Sequence, residues 1–279
     1  MRALMRHLGL VLSLGLTLHA GPALAQGSST PPMREGVDVG RNSAFARLVP
    51  AEDVEASAAK QYQDLLKQAA SQNALAGPNH PQVIRLRRIA DKLIPFAYNW
   101  NPRARQWKWE INLLNSRQIN AFCMPGGKIA FYSGILDQLQ LTDDEVAQIM
   151  GHEIAHALRE HARERMGKSA ATSIGAGLLS QVLGLGDLGR TVTNYGAELL
   201  TLKFSRDNET EADLVGLELA ARAGYDPRAG VTLWRKMQAA SKGAPPQWLS
   251  THPAGDTRIT DIEKALPRVM PIYERASRE

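Results

Sequence analysis

The run His152-Glu153-Ile154-Ala155-His156 constrains this chain of 279 residues more than any other feature. Residues four apart share one face of an α-helix, so the imidazoles of His152 and His156 can reach the same metal ion. Glu153 is rotated by about 100° from His152, so its carboxylate can flank the metal and activate a bound water without being a ligand. The HExxH pattern therefore predicts a catalytic zinc site on a helix.

The residues around the motif predict one helix of roughly residues 143–167. Thr142 and Glu145 have the spacing of a capping box, in which each side chain binds the backbone of the other residue. Apolar residues then recur at helical spacing at Val146, Ile149, Met150, Ile154 and Leu158. The alternative is a surface helix with two incidental histidines, as the charged residues after the motif would allow.

A catalytic zinc site needs a third protein ligand. Glu160 is too distant, because its Cα lies about 12 Å from that of His152 along a straight helix. His161 is one position short of the third histidine in the HExxHxxGxxH pattern, and Arg159 replaces the glycine of that pattern. The third ligand is therefore expected from another helix.

The segment 205–213 offers the missing carboxylate. Glu209 and Asp213 are four residues apart and share a helix face, whereas Glu211 points nearly the opposite way. We interpret Glu209 as the ligand and Asp213 as the group that accepts the far N–H of a ligating histidine. The alternative is an acidic first turn favoured by the helix dipole. Gly224 is a plausible end of this helix.

Taken together, the motifs of this chain resemble those of peptidase family M48, a family of zinc metallopeptidases. HEIAH is followed by the ExxxD of Glu209 and Asp213, and three further stretches match: NAFCMPGG at 120–127, YSGIL at 132–136, and STHP at 250–253 with Arg258 nearby. The resemblance covers about residues 80–265. It is strongest to the bacterial periplasmic quality-control peptidases, which are related to the mitochondrial Oma1 proteases.

This resemblance implies an α+β, mainly α-helical, zincin-type metallopeptidase domain with a small antiparallel sheet beside the HExxH helix. Helices are predicted near 51–72 and 81–95, and the chain after Ser133 is mainly helical. Strands are predicted near Ile119–Phe122 and at Lys128–Tyr132. Alternation with polar residues predicts an earlier strand through Trp107, Trp109, Ile111 and Leu113.

The resemblance also implies how substrate is bound. The stretch of Asn120, Ala121 and Phe122 would supply a sheet edge to which the substrate backbone adds as a strand. For Asn120 itself, a plain hairpin position in the core is the alternative. His252 could stabilise the oxyanion or occupy the fourth zinc position at rest, and the third reading is a loop histidine before Pro253.

These residues imply a zinc-dependent endopeptidase with one Zn²⁺ per chain, bound by His152, His156 and Glu209. The zinc polarises the scissile carbonyl and lowers the pKa of its water, and Glu153 takes the proton and delivers it to the leaving amine. The expected substrates are misfolded or unassembled cell-envelope proteins. The alternative is a zinc-stabilised chaperone or binding module with little proteolysis, although structural zinc usually has four protein ligands and favours cysteine.

Residues 1–25 are typical of a secretory signal peptide, with a basic start, an apolar run at Leu8–Leu18 and an A-x-A site at Ala23–Ala25. A retained membrane anchor is the alternative, but the apolar run is too short to span a bilayer comfortably. No cysteine follows the run, so export to the periplasm as a non-lipoprotein is expected. Residues 26–47 are predicted to be a flexible lead and 48–279 one peptidase domain.

Charge and cysteine content exclude other classes of protein. The net charge of +5 falls to +3 without Arg2 and Arg6, which is too small to argue for nucleic-acid binding. Cys123 is the only cysteine, so no internal disulfide forms, and we interpret it as a small hydrophobe. The apolar run Ala170–Gly186 is either a buried helix or a mobile lid or membrane-surface contact over the cleft. The sequence does not indicate an oligomeric state.

Overall fold

The computed structural model describes residues 35–182, 199, 202–241, 246–253 and 257–278, and for residues 173–182 it describes the backbone alone. The predicted signal peptide lies outside these residues. The described helices are α1 (Ala51–Ser71), α2 (Pro81–Ala97), α3 (Ser133–Leu139), α4 (Asp143–Leu158), α5 (His161–Val182), α6 (Arg206–Arg222), α7 (Ala229–Ala240), α8 (Gln247–Thr251) and α9 (Arg258–Ala276). Three strands, β1 (Glu110–Leu114), β2 (Ala121–Met124) and β3 (Lys128–Tyr132), complete a mainly helical α+β fold, as predicted.

The sheet is mixed, with the strand order β1-β3-β2. Strands β2 and β3 form the predicted antiparallel hairpin, and its turn contains Gly126 and Gly127, both with positive φ. Strand β1, in contrast, pairs with β3 in parallel. The predicted small antiparallel sheet is therefore present as the β2–β3 hairpin. Strand β1 differs from the prediction because β3 lies between β1 and β2 and runs in the same direction as β1. This order leaves β2 at an edge of the described sheet.

Helix α4 carries the HExxH motif and is buried along almost its whole length. The predicted capping box is present, with Thr142 and Glu145 each bound to the backbone of the other. The helix ends at Leu158, whose carbonyl accepts a hydrogen bond from Asn101 Nδ2. Glu160 then has a φ of 58°, and a separate helix begins at His161. The single helix predicted over 143–167 is therefore two helices, because one left-handed residue changes the direction of the chain.

Helices α4 and α6 meet at a pair of glycines. A Cβ on Gly151 would lie 2.8 Å from the carbonyl oxygen of Gly216, and a Cβ on Gly216 would lie 2.6 Å from the amide nitrogen of His152. Both distances are shorter than any ordinary carbon contact, so only glycine permits this approach. The contact places the first turns of α6, with Glu209, opposite the histidines of α4. As predicted, α6 is followed by Gly224 with positive φ.

The described part of the predicted lead packs against the helical domain. Val37 and Ala46 are buried, and the Val37 amide donates to Glu218 Oε2 at 2.8 Å. A 3-10 turn at Ala44–Leu48 packs on α5. The folded region thus includes residues before the predicted boundary at 48, because apolar side chains of this segment are covered by the domain.

The apolar run at 170–186 begins inside α5, which continues to Val182. Its remaining residues and most of its side chains lie outside the described residues, so the alternatives of buried helix, lid and membrane contact stay predictions. Among the residues that the structure describes, no helix has both the length and the hydropathy needed to cross a membrane.

Candidate metal centre

Four buried side chains converge between α4, α6 and the end of α8. They are His152, His156, Glu209 and His252. Each residue offers one atom that can bind a metal, and these four atoms lie within 4.8 Å of one another. The structure thus brings together the three predicted ligands and His252. His152 and His156 lie on α4, Glu209 on α6 and His252 directly after α8, so the group is assembled only when these helices pack.

The distances within the group fit a metal-binding donor set. His152 Nε2 lies 3.1 Å from His156 Nε2, and the Glu209 carboxylate oxygens lie 3.6 and 3.5 Å from these two nitrogens. Two ligands of one tetrahedral zinc ion, each about 2.0–2.1 Å from it, are separated by roughly 3.3 Å. Two imidazoles and a carboxylate at this separation suit a borderline divalent metal.

His252 lies at the fourth corner of the group. Its Nδ1 is 3.2 Å from His152 Nε2 and 3.1 Å from Glu209 Oε1. Its Nε2 lies 3.5 Å from Glu153 Oε1. His252 directly follows α8 and is 3% exposed, so its ring faces the cluster and is shielded from solvent.

The electrostatics of the group favour a neutral His156 beside an ionised Glu209. Burial lowers the pKa of His156 well below its usual value, and the neighbouring His152 and His161 lower it further. Burial alone would raise the pKa of Glu209, but His252, His152 and Arg258 together lower it. Neutral histidine and ionised glutamate are the protonation states that bind a metal ion.

Asp213 lies behind His152, as predicted from its position in the helix. Its Oδ1 is 3.0 Å from His152 Nδ1, so the carboxylate accepts the far N–H and leaves Nε2 free to face the cluster. Burial would raise the pKa of Asp213, but Arg258 and His152 lower it to about 2. Asp213 is therefore a carboxylate throughout the physiological range.

Arg258 joins the two acidic residues of α6, a role that the sequence analysis did not assign. It donates to both carboxylate oxygens of Asp213 at 2.7 and 2.6 Å and to Glu209 Oε2 at 2.6 Å. Its guanidinium lies 3.8 Å above the ring of Trp234. The STHP…R spacing was a signal for Arg258, but only the fold shows which carboxylates it reaches.

His161 and Glu211, which the sequence analysis set aside as ligands, lie behind His156. The Nδ1 atoms of His161 and His156 are 2.9 Å apart, and His161 Nε2 lies 3.3 Å from Glu211 Oε2. Burial lowers the pKa of His161, and Glu211 raises it only in part. His156 is also stacked on Phe204, with ring centroids 4.0 Å apart.

Glu153 is buried beside the cluster and has one side-chain donor that the sequence did not suggest. The indole Nε1 of Trp248 donates to Glu153 Oε1 at 2.6 Å. Trp248 is 1% exposed and stacks on His252, with ring centroids 5.0 Å apart. One carboxylate oxygen of Glu153 is therefore fixed by α8.

A cleft opens onto Glu153 and His252 and runs along β2. Asn120, Ala121 and Phe122, the predicted substrate-binding residues, all line it. The Tyr132 amide donates to the Asn120 carbonyl. Since bonded and non-bonded pairs alternate in an antiparallel ladder, the backbone groups of Ala121 point away from β3, towards the open edge. Asn120 Oδ1 accepts from the Ala121 amide at 3.1 Å.

Cys123 has the same outward backbone orientation as Ala121 and also lines the cleft. Its side chain is half-buried. Burial raises the pKa of its thiol well above the usual value, and the nearby Glu153 adds to this shift. A protonated thiol is a poor nucleophile, which agrees with the prediction that Cys123 is a small apolar residue.

Comparison with known proteins gives a family match over most of the chain. The sequence model of Peptidase family M48 matches residues 82–266 of this chain. The mitochondrial metalloendopeptidase OMA1 of Schizosaccharomyces pombe is 36% identical over 191 residues, which are 67% of this chain and 54% of that protein. Its namesake in Saccharomyces cerevisiae is 32% identical, over 74% of this chain and 62% of that protein.

A bacterial relative is similar over a comparable stretch. The beta-barrel assembly-enhancing protease of Escherichia coli (strain K12) is 30% identical over 60% of this chain and 36% of that protein. The chain thus spans only about a third to three fifths of the length of these relatives. HEIAH, the ExxxD of Glu209 and Asp213, and His252 with Arg258 all lie in the cluster or contact it. The chain belongs to peptidase family M48.

Proposed function

We propose that the chain is a zinc-dependent endopeptidase. The observation that carries this proposal is the meeting of His152, His156 and Glu209 at ligand spacing, with the Glu153 carboxylate buried beside them. These three residues would hold the metal. When bound, zinc supplies Lewis acidity towards the scissile carbonyl and lowers the pKa of the attacking water.

Glu153 is the general base in this proposal. Its carboxylate accepts a proton from the attacking water and returns it to the leaving amine. The hydrogen bond from Trp248 to Oε1 holds this carboxylate beside the cluster. The open edge of β2 binds the substrate backbone as an added strand, with little demand on substrate sequence. Asn120 lies at the start of this edge and orders the Ala121 amide.

We propose that His252 is the fourth ligand of the resting enzyme. Its Nδ1 faces His152 and Glu209 at ligand spacing, and this position supports the resting role more than the oxyanion role. A substrate must then displace the imidazole before it reaches the metal. The oxyanion role remains the alternative, and the two differ in the sign of one substitution, described below.

The substrates that we propose are misfolded or unassembled proteins of the cell envelope, and the compartment is the periplasm. The signal-peptide pattern of residues 1–25 and the similarity to a bacterial beta-barrel assembly-enhancing protease support this assignment. Other relatives carry the word mitochondrial in their names. The choice of compartment therefore depends on the signal-peptide pattern.

The rival proposal is a zinc-stabilised chaperone or binding module. The burial of Glu153 next to the cluster argues against it, because a carboxylate in this position is suited to act as the general base of a catalytic site. A membrane-surface peptidase is a further alternative, which rests on the apolar run at 170–186. Separating soluble and membrane fractions of the expressed protein distinguishes that case.

The test is Glu153→Gln in the full chain. Turnover of an unfolded model protein should fall about 10²–10⁴-fold, in line with the loss of a general base, while the metal content stays near that of the wild type. Identification of new peptide termini in cells that express either form should reveal the natural substrates. Cleavage at the wild-type rate by the Gln variant would return the chain to the binding-module proposal.

A further inference from the structure

The break between α4 and α5 gives His161 its position. In a continuous helix, five residues at about 100° each would turn His161 roughly 140° away from His156. Instead, Glu160 adopts a φ of 58° and α5 begins at His161. The His161 ring is thereby brought back to within 4.9 Å of the His156 ring, measured between centroids.

Behind His161 lies a chain of polar contacts. His161 Nδ1 is 2.9 Å from His156 Nδ1, and its Nε2 is 3.3 Å from Glu211 Oε2. Arg159 Nε donates to the same Glu211 oxygen at 2.8 Å. His161 is 1% exposed, so its ring nitrogens depend on these protein partners rather than on solvent.

The position of the protons follows from the metal site, and this step rests on the proposed function. A ligating His156 must present the lone pair of Nε2 to the metal, so its proton is on Nδ1. The His156 Nδ1–H then donates a hydrogen bond, and Nδ1 of His161 accepts it. As a neutral ring, His161 carries its proton on Nε2 and donates it to the Glu211 carboxylate.

We propose that His161, held by Glu211 and Arg159, is the positioning residue of His156. It fixes the orientation and the tautomer of that ligand, as Asp213 does for His152. The two ligands differ in one respect, since a carboxylate lies directly behind His152 and a neutral imidazole lies behind His156. Glu211 points away from the metal, as its position in the helix predicts. It therefore affects the metal centre only through the ring of His161, which contacts both Glu211 and His156.

The test compares His161→Leu and His161→Gln by competition for zinc against a chromophoric chelator. The Leu side chain offers no acceptor, so zinc affinity should fall about 10–100-fold, as for other groups that orient metal ligands. The Gln side chain can accept from His156 and donate to Glu211, so most of the affinity should return. Glu211→Leu should also weaken zinc binding. Glu145→Gln is the control, since it alters a buried carboxylate at the other end of α4 and should keep wild-type affinity.

A second measurement covers the case in which the Leu variant fails to fold. In the zinc-loaded wild type labelled with ¹⁵N-histidine, long-range proton–nitrogen spectra should show His156 protonated at Nδ1 and His161 protonated at Nε2. The opposite tautomer of His161, or wild-type zinc affinity in a folded His161→Leu variant, overturns the proposal. If the wild type itself binds no zinc, the proposed function fails as well, so the two failures are distinguishable.

Discussion

Trp248 donates its indole N–H to Oε1 of Glu153 across 2.6 Å, and the same residue stacks on His252. One short helix, α8, therefore contacts both the proposed base and the proposed resting ligand. Hydrogen bonds to charged groups contribute about 1.5–3 kcal/mol. The loss of this one should leave the carboxylate free to rotate away from the water.

Trp248→Phe should reduce kcat about 10-fold or more, the lower end of that energy range, without loss of bound zinc. The ring and its stacking are largely retained, so the fold should persist. Steady-state kinetics on an unfolded substrate, together with metal analysis, check this outcome. An unchanged kcat would show that Glu153 needs no donor at Oε1.

Substitutions in α6 should weaken zinc binding less as the altered side chain lies further from the metal site. Glu209→Ala removes a ligand and should weaken zinc binding most. Asp213→Asn should weaken it about 10–100-fold, because it impairs the partner of His152. The helical phase alone predicts no effect for Glu211→Ala, whereas the contact through His161 predicts a measurable loss. Chelator competition on all three variants gives the ranking, and equal loss in all of them would contradict it.

His252→Ala separates the two roles of this histidine by the sign of its effect. If Nδ1 is a resting ligand, basal proteolysis should rise and zinc should be held somewhat less tightly. If the ring stabilises the oxyanion instead, turnover should fall about 10²–10³-fold. The rate of cleavage of an unfolded protein at saturating zinc decides between them. No change in either quantity would make His252 a purely structural residue.

The open edge of β2 can be tested through the backbone of Cys123. Its N–H points away from β3, so a substrate strand would accept from it. Cys123→Pro removes this donor at an edge position where proline is tolerated, and KM should rise while zinc affinity is unchanged. Cys123→Ala is the matched control, since it removes only the thiol and should behave as the wild type. Equal KM values in both variants would exclude this edge as the binding site.

The pH dependence of stability has a predictable contribution from Glu145. Burial would raise its pKa, but hydrogen bonds from Lys236, Thr142 and Thr232 lower it overall. A carboxyl group with a lowered folded-state pKa stabilises the fold above its unfolded pKa of about 4.3. That contribution is lost as the pH falls through the folded-state value.

Wild type should therefore be more stable than Glu145→Gln by about 1 kcal/mol at neutral pH, because Gln can keep the capping box but loses the charge that strengthens the hydrogen bond from Lys236. The difference should shrink as the pH approaches about 3.5, where the unfolded chain is protonated. Urea unfolding of the two metal-free proteins at several pH values measures it. A difference that stays constant with pH would mean that the charge of Glu145 does not stabilise α4.

Local signals in the sequence predicted the parts of the centre that lie on single helices. The spacing of His152 and His156 and the capping box of α4 depend only on helix geometry, and the structure has both. The face shared by Glu209 and Asp213 followed from the same periodicity. These predictions agree with the structure because each pattern is short and its geometry is nearly invariant.

The features that were missed depend on contacts between distant segments or on one unusual backbone angle. Arg258 can donate hydrogen bonds to both Asp213 and Glu209 only because α9 packs beside α6. The parallel pairing of β1 arises because β3 lies between β1 and β2 in the sheet, and this order is set by packing rather than by a local sequence pattern. The left-handed Glu160 has no signal of its own, since glutamate rarely adopts this conformation. Without it, one helix was predicted across residues 143–167, and the contact of His161 with His156 was not foreseen.

The glycine contact between α4 and α6 has a consequence for how the centre is loaded. Because Gly151 and Gly216 let two helix backbones touch, the packing of α4 on α6 by itself holds Glu209 opposite His152 and His156. The conformational entropy of collecting them is lost during folding, so metal uptake itself requires little reorganisation. The same close contact makes the site sensitive to small changes. One added methyl group at Gly216 would push α4 and α6 apart and weaken metal binding without altering any ligand.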